Sequence, residues 1–408
     1  MPNSQDSSST SGSNSTALSQ VEQAATQKCS ARIHKAIKKQ GQIGFDEYMH
    51  LALHDQEVGY YSQKDEIFGK QGDFTTVPET SVHLAFCLAH ACAKLIRDDA
   101  QRAILEIGAG SGKFAYDILK YLKTWGMLPN RYCIYEPSAV LKAKQHKLLA
   151  TELPDYIGQI EWFVELPSNG TVAKFEANEL ETVIIIANEV LDALPVKCFE
   201  VGSKKIQERC VTLKNDELTW SLREPSENLD AALDFITVML DEPLLEGYQS
   251  EINLNLESVL TEWANCCQQC VMFLIDYGQP RHEYYHSQRR MGTLRSYFKH
   301  QVSEDVFTNP GIQDITADVD FSDVAKIATY LQMGVLSFGS QRNFMLANNL
   351  LDWQPDAEDE MERLAQIAQL KQLTLGSAIS ERFQVMVLGK GIDYGADRFT
   401  MRDMRAKL

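Results

Sequence analysis

The chain has 408 residues, of which 44% are apolar and 23% charged, an ordinary globular composition that excludes wholesale disorder and suggests two or three structural units. Lys and Arg number 39 against 56 Asp and Glu, and the resulting net charge of −17 disfavours nucleic acid as a partner and suits cationic ones. No run of about 18 uninterrupted apolar residues occurs, so no membrane-spanning helix is expected.

Residues 1–27 are rich in Ser, Thr, Asn and Gln and contain no Lys or Arg. They lack the basic start and apolar run of a signal peptide and the arginines of a transit peptide. This segment reads as a disordered polar tail, and a cytoplasmic location is expected. From Cys29 to about Ala100 the pattern is mostly helical. Ile33 and Ile37, then Phe45, Met49, Leu51 and Leu53, recur near helical spacing, and Ser81 caps a long apolar helix. Between them lies a loop holding Gly59, Gly69 and Gly72 with Tyr60, Tyr61, Phe68 and Phe74, a composition placed for function or for packing beneath a lid.

The period then changes. Ala103 to Ile107 is a short apolar run entering a Gly-rich turn, and Phe114 to Leu122 resumes helical spacing. Tyr132 to Tyr135, Val183 to Ala187 and Val271 to Ile275 are further continuous runs, with a helix around Leu141 to Leu149. Apolar runs alternating with helices predict a mostly parallel sheet buried on both faces, an α/β fold. Val196 to Leu222 alternates, with turns at Gly202 and Asn215-Asp216, and predicts inserted β-hairpins. An irregular stretch from Gln279 to Phe321 precedes a helix near Val324 to Leu331. Phe344 to Ala347 and Phe383 to Leu388 read as two more strands. A helix from about Asp356 to Leu373 opens on an acidic cluster and presents a solvated face.

Nine cysteines, an odd number in a chain this long, suit reduced thiols, and Cys87, Cys92, Cys133 and Cys198 sit in apolar contexts. Cys266, Cys267 and Cys270 lack a second pair or a suitably spaced His and read as thiols at a helix–strand junction. No metal site is expected.

Three segments carry chemistry. The first is the strand and turn Leu105-Glu106-Ile107-Gly108-Ala109-Gly110-Ser111-Gly112, where glycines let backbone approach a ligand and a helix start offers free N–H groups. Glu136 ends the next apolar run, where a carboxylate can accept both hydroxyls of a ribose. The arrangement serves a dinucleotide or S-adenosylmethionine. The missing x-x-Gly of the dinucleotide fingerprint, and the carboxylate of Glu106 before the turn, favour S-adenosylmethionine.

The second segment, Asn188-Glu189-Val190-Leu191-Asp192-Ala193-Leu194-Pro195, follows the Val183 strand, so Asn188, Glu189 and Asp192 are expected to line the site. The same residues also fit a helix N-cap with an acidic first turn. The third, Ile275-Asp276-Tyr277-Gly278, adds another carboxylate at a strand end. Glu189, Asp192 and Asp276 together suggest an acidic clamp. A planar, permanently protonated guanidinium with five donors is the natural guest of paired carboxylates.

These segments, with Phe45-Asp46-Glu47-Tyr48-Met49, Gly59-Tyr60-Tyr61, Gly72-Asp73-Phe74-Thr75-Thr76, Gly292-Thr293-Leu294-Arg295 and Asp314-Ile315-Thr316-Ala317-Asp318-Val319-Asp320-Phe321, resemble the MidA-type class I methyltransferases over about Gly44 to Gly389. That family includes a mitochondrial protein arginine methyltransferase linked to respiratory complex I assembly, and bacterial homologues. The resemblance implies a Rossmann-like, mostly parallel seven-stranded sheet. It also implies an N-terminal helical cap with a cofactor-covering loop over residues 28–100. The S-adenosylmethionine-dependent domain would span 101–408, with insertions near 196–255 and 279–321. By motif, Gly108, Gly110, Gly112 and Glu136 would hold the cofactor, the Gly72-Asp73-Phe74 segment would close over it, and Asn188, Glu189 and Asp192 would face the substrate. Asp318 stands where the family usually has His, while His300 matches.

The leading expectation is protein arginine methylation by in-line attack of a guanidine nitrogen on the sulfonium methyl. The partner would be a protein with a basic target, by the resemblance a respiratory-complex subunit. A methyltransferase of a small molecule or another side chain is the alternative enzyme, and a non-catalytic assembly chaperone the non-enzymatic one. A nucleic-acid face would have to be built from Arg281, Arg289, Arg290 and Arg295 interleaved with Tyr284, Tyr285 and Tyr297, against the global charge.

Overall fold

The computed structural model describes residues 18–63, 82–98, 102–166, 182–299, 301–355, 359–375 and 382–408. Asp73, Phe74, Ser81 and His300, each singled out by sequence, lie outside the described residues. The first helix, α1 (Gln20–Gln40), begins inside the stretch expected to be a polar tail. A capping box accounts for the early start: the Glu22 backbone N–H donates to Ser19 Oγ and the Ser19 N–H to Glu22 Oε2. Cys29, Ile33 and Ile37, four residues apart, form the buried stripe of α1. They pack with β1 (Ile43–Gly44) and α2 (Phe45–Leu53), which α3 (Tyr60–Gln63) follows. The next helix, α4 (Val82–Asp98), is buried around most of its circumference, as an almost uncharged helix must be.

The α/β alternation then runs β2 (Ala103–Ile107), α5 (Lys113–Thr124), β3 (Tyr132–Tyr135), α6 (Ala139–Glu152), β4 (Ile160–Phe163) and β5 (Thr182–Asn188). An insertion follows: β6 (Lys197–Val201), β7 (Ile206–Lys214), β8 (Glu217–Arg223), α7 (Glu227–Met239) and β9 (Gln249–Ile252). The β7–β8 hairpin turns at Asn215 and Asp216, whose φ of 55° and 61° match a turn twisted with the strands. Together with β1 these strands make a separate antiparallel sheet.

The chain returns through α8 (Leu256–Asn265) to β10 (Gln269–Gln279) and the short α9 (Arg281–Tyr284). A small sheet of β11 (Arg295–Phe298), β12 (Gln301–Ser303) and β13 (Asp314–Thr316) comes next. Then follow β14 (Val319–Asp320), α10 (Phe321–Tyr330), β15 (Met333–Ser340), α11 (Gln341–Ala347), the largely exposed α12 (Glu360–Leu375) and β16 (Phe383–Lys390). The strand expected at Phe344 to Ala347 is therefore α11, with the strand just before it. A four-residue apolar run carries no period, and Phe344 and Met345 are buried on one side of a short helix.

The central sheet has the order β15-β16-β10-β5-β2-β3-β4, with β14 beside the end of β10. The strands from β10 to β4 are parallel, and β16 is antiparallel to both its neighbours. Side chains of α4, α5 and α11 cover one face, and those of α8 and α10 the other. Burial on both faces is why these strands read as unbroken apolar runs. Among the described residues no helix is long and apolar enough to cross a membrane.

Candidate active site

From β2 the chain steps to β3 on one side, and it later returns to β5 on the other. A crevice opens where that order reverses, beyond the carboxyl ends of the strands. Register decides which residues meet there. Ile107 pairs with Tyr135 and with Ala187, so Gly108 and Glu136 emerge one step past their strands, level with Asn188, the last residue of β5. A cavity of about 400 Å³ occupies this position, lined by Glu106, Gly108, Gly110, Glu136, Asn188, Glu189 and Asp192 among others.

The glycine turn needs its glycines. Gly108, Gly110 and Gly112 have φ of 67°, 52° and 83°, the left-handed region that Cβ-bearing residues avoid. Gly112 does not line the cavity. A Cβ there would stand 3.1 Å from Gln145 Cα, so this glycine lets α5 start against α6. Gln145, fully buried, donates from Nε2 to the Gly110 carbonyl (2.9 Å) and to Glu136 Oε2 (3.0 Å), while Trp162 Nε1 donates to its Oε1 (3.0 Å). Glu136 also accepts from the Ser138 N–H (2.9 Å). Burial pushes the Glu136 carboxyl up to about 7 against these hydrogen bonds. Glu106 accepts from the Tyr132 hydroxyl (2.7 Å), and burial, assisted by the charge of Glu136, raises it to about 7 as well.

The segment after β5 is not a helix start. It bends, with Glu189 at φ 50°, so the reading of Asn188 as an N-cap does not hold. A non-glycine residue in that region costs roughly 1–3 kcal/mol and persists only where surroundings enforce it. Here the Glu189 N–H donates to the Ile275 carbonyl (2.9 Å). Asn188 Nδ2 donates to Glu189 Oε1 (3.2 Å), and Asn188 Oδ1 is buried with no hydrogen-bond donor among the described residues. Asp192 is 3% exposed, and its carboxyl is held well above the ordinary range by burial and then by the charges of Asp276 and Asp314.

Asp276 is placed differently from its expected role in the clamp. It is absent from the cavity wall and lies beneath the bend. Its Oδ2 accepts from the N–H groups of Leu191 (2.9 Å) and Asp192 (3.2 Å), and its Oδ1 from that of Tyr277 (2.8 Å). Three backbone donors occupy most of the roughly four acceptor positions of a carboxylate, so Asp276 fixes the loop and has little left for a ligand.

Sequence reasoning missed much of the far wall. His54, Gln56, Tyr61, Ser62 and Asp314 line the cavity, as do Val259, Glu262 and Trp263 of α8. Tyr61 stood in the aromatic loop and Asp314 in the Asp-Ile-Thr-Ala segment, but nothing local says that either reaches the cofactor crevice. Of the arginine–tyrosine cluster, Arg281 is buried in ion pairs with Asp320 (2.9 Å) and Asp323 (3.1 Å), and Tyr284 and Tyr285 are core residues. Asp318 is bracketed by Arg289 (3.3 Å) and Arg382 (3.6 Å). None of the nine cysteines is in a disulfide, and all are buried except for the partly exposed Cys267.

A family model described as "Putative S-adenosyl-L-methionine-dependent methyltransferase" matches residues 87–339. The crystal structure of a Burkholderia thailandensis protein bound to S-adenosyl-homocysteine is similar over 96% of this chain and 99% of that one, with a TM-score of 0.85 and 29% identity. Among curated relatives, the mitochondrial protein arginine methyltransferase NDUFAF7 homolog of Caenorhabditis elegans is 24% identical over 81% of this chain and 77% of its own length. The mitochondrial protein arginine methyltransferase NDUFAF7 of Mus musculus is 27% identical over 76% and 71%.

Proposed function

The chain belongs to this family and is an S-adenosyl-L-methionine-dependent methyltransferase, and from that premise we propose that its acceptor is an arginine guanidinium of a protein. One observation carries the reading: the glycine turn and Glu136 share a cavity with Asn188, Glu189 and Asp192. The relatives named as protein arginine methyltransferases support it.

The residues present fit the cofactor. Gly108 leaves open a space that a Cβ would narrow to 3.2 Å from Val190, Glu136 offers a carboxylate one step past β3, and Asn188 brings a buried, unmatched acceptor. When bound, the cofactor supplies a methyl group on a positively charged sulfur. In our assignment Gly108, Gly110 and Glu136 hold it, with Glu106 beneath the turn. Gly112 acts one step removed, through the packing of Gln145. Asp73 and Phe74 are assigned by resemblance to the covering segment. Asn188, Glu189 and Asp192 face the substrate.

Carboxylates fix the guanidinium plane and draw its positive charge toward themselves, leaving one nitrogen better able to donate electrons. The N–C bond forms as the S–C bond breaks, with that bond's electron pair staying on sulfur. The nitrogen then gives up a proton, and we assign as its acceptor Asp192, whose carboxyl is kept protonated in the ligand-free protein by burial and its acidic neighbours and is ionised by the bound guanidinium cation.

Mass spectrometry of arginine methylation tests the reading in cells lacking the protein, with wild-type or Glu189→Gln protein restored. Methylarginine sites should vanish without the protein and return with the wild type. With purified Glu189→Gln, transfer to those sites should fall at least about tenfold while S-adenosylhomocysteine affinity holds. An arginine methylome indifferent to the protein would overturn the assignment.

A further inference from the structure

We propose that Asp314, held in place by Tyr61, is a further substrate-gripping carboxylate that acts with Asp192 and selects a guanidinium over an ammonium; this rests on the arginine reading above. Asp314 heads β13, is 4% exposed, and lines the same cavity as Glu189 and Asp192. Its Oδ1 receives two donors, the Ile315 N–H (2.9 Å) and the Tyr61 hydroxyl (3.0 Å). Tyr61 comes from the N-terminal helical segment, 253 residues away in the chain, so the contact exists only in the folded molecule.

The two carboxylate-bearing segments are tied together, because the Ala317 N–H donates to the Asp192 carbonyl (3.0 Å). On the other side the Tyr61 ring stacks on His54, with centroids 5.4 Å apart, and His54 Nε2 lies 2.9 Å from the Ala193 carbonyl. That contact needs the proton on Nε2, and burial lowers the His54 pKa, so the ring sits neutral at pH 7. Tyr61, His54 and the Ala193 carbonyl thus give this wall polarity without positive charge.

Buried carboxylates that repel one another accept a cation readily. A guanidinium is planar and carries five donors spread over three nitrogens, so it can bridge carboxylates on separate segments. An ammonium gathers three donors on one atom and serves one carboxylate well. Fixing Asp314 through Tyr61 and its own backbone lowers the ordering cost of such a bridge.

Calorimetry on the full chain saturated with S-adenosylhomocysteine tests this. The probes are acetyl-Gly-Arg-Gly-amide and its lysine counterpart. The wild type should prefer the arginine peptide, and Asp314→Asn should weaken that peptide at least tenfold, with the lysine peptide and S-adenosylhomocysteine changing far less. Tyr61→Phe keeps the ring and removes the donor; it should weaken the arginine peptide about threefold, and it carries the test if Asp314→Asn does not fold. Unchanged arginine-peptide binding in both variants, with wild-type preference intact, would overturn the role of Asp314 and leave the arginine reading standing. A wild type that takes S-adenosylhomocysteine and ignores the arginine peptide would overturn both.

Discussion

Glu106 and Glu136 are buried, adjacent to the glycine turn, and raised by burial to about 7 from an ordinary 4.5. A carboxyl that binds its proton more tightly in the folded state stabilises the fold in its neutral form. That contribution is complete below about pH 4.5 and is lost as the pH rises through about 7. The ligand-free protein should therefore lose stability between about pH 5 and 7. Glu136→Gln removes one of the two titrations while keeping a Ser138 acceptor, so its stability relative to wild type should climb with pH, by up to about 3 kcal/mol. Urea unfolding of both proteins across that range checks the sign, and a pH-independent difference would count against it. The same variant should weaken S-adenosylhomocysteine by roughly 1.5–3 kcal/mol, the worth of hydrogen bonds to a charged acceptor. Both residues were legible in the sequence as site carboxylates. Their pKa values were not, because burial belongs to the packed sheet.

At the scale of an element, the bend after β5 shows how a strand end becomes a site. Nothing inside Asn188–Pro195 enforces the left-handed Glu189; the Ile275 carbonyl and the Asp276 carboxylate of β10 do so from the neighbouring strand. Asp276→Asn should expose this dependence. An amide has one acceptor oxygen, so it can serve Tyr277 or the Leu191–Asp192 pair, and its NH2 faces a donor on the other side. We expect methyl transfer to fall at least about tenfold through a drop in kcat, with S-adenosylhomocysteine affinity nearly kept. Asp276→Ala should be worse than Asp276→Asn and should also lower the melting temperature. Equal loss of cofactor affinity in both would mean that Asp276 supports the cofactor side instead. The sequence placed this carboxylate at the correct strand end, but whether it points into the cavity or under the neighbouring loop is a matter of inter-strand register.

Across the whole molecule, 56 acidic residues against 39 basic ones surround a crevice whose own wall is acidic. Such a field steers a basic protein toward the site and is screened once the Debye length falls from about 10 Å at 0.1 M salt toward about 3 Å at 1 M. With a basic protein substrate, kcat/KM should fall about tenfold or more between about 0.02 and 0.5 M salt, while the affinity for S-adenosylhomocysteine, a small ligand with no net charge, should move little. Stopped-flow and equilibrium measurements on the same preparation separate the two. A salt-independent kcat/KM would remove the steering role of the net charge.

What the sequence determined by itself was local or periodic. Unbroken apolar runs alternating with helices marked the parallel sheet, and Gly108, Gly110 and Gly112 after a strand marked the ligand turn. Asn215-Asp216 marked a hairpin, and the order of motifs marked the family. Each is written within a few residues, in φ preference or hydrophobic period, so no distant contact is needed to read it. Tertiary structure decided the rest. It turned Phe344 to Ala347 into a helix, moved Asp276 under a loop, and brought Tyr61 and Asp314 to the cavity from 253 residues apart. The reason is physical: side-chain direction at a strand end depends on the register of neighbouring strands, and a carboxylate's proton affinity depends on what buries it. Both are properties of the packed chain.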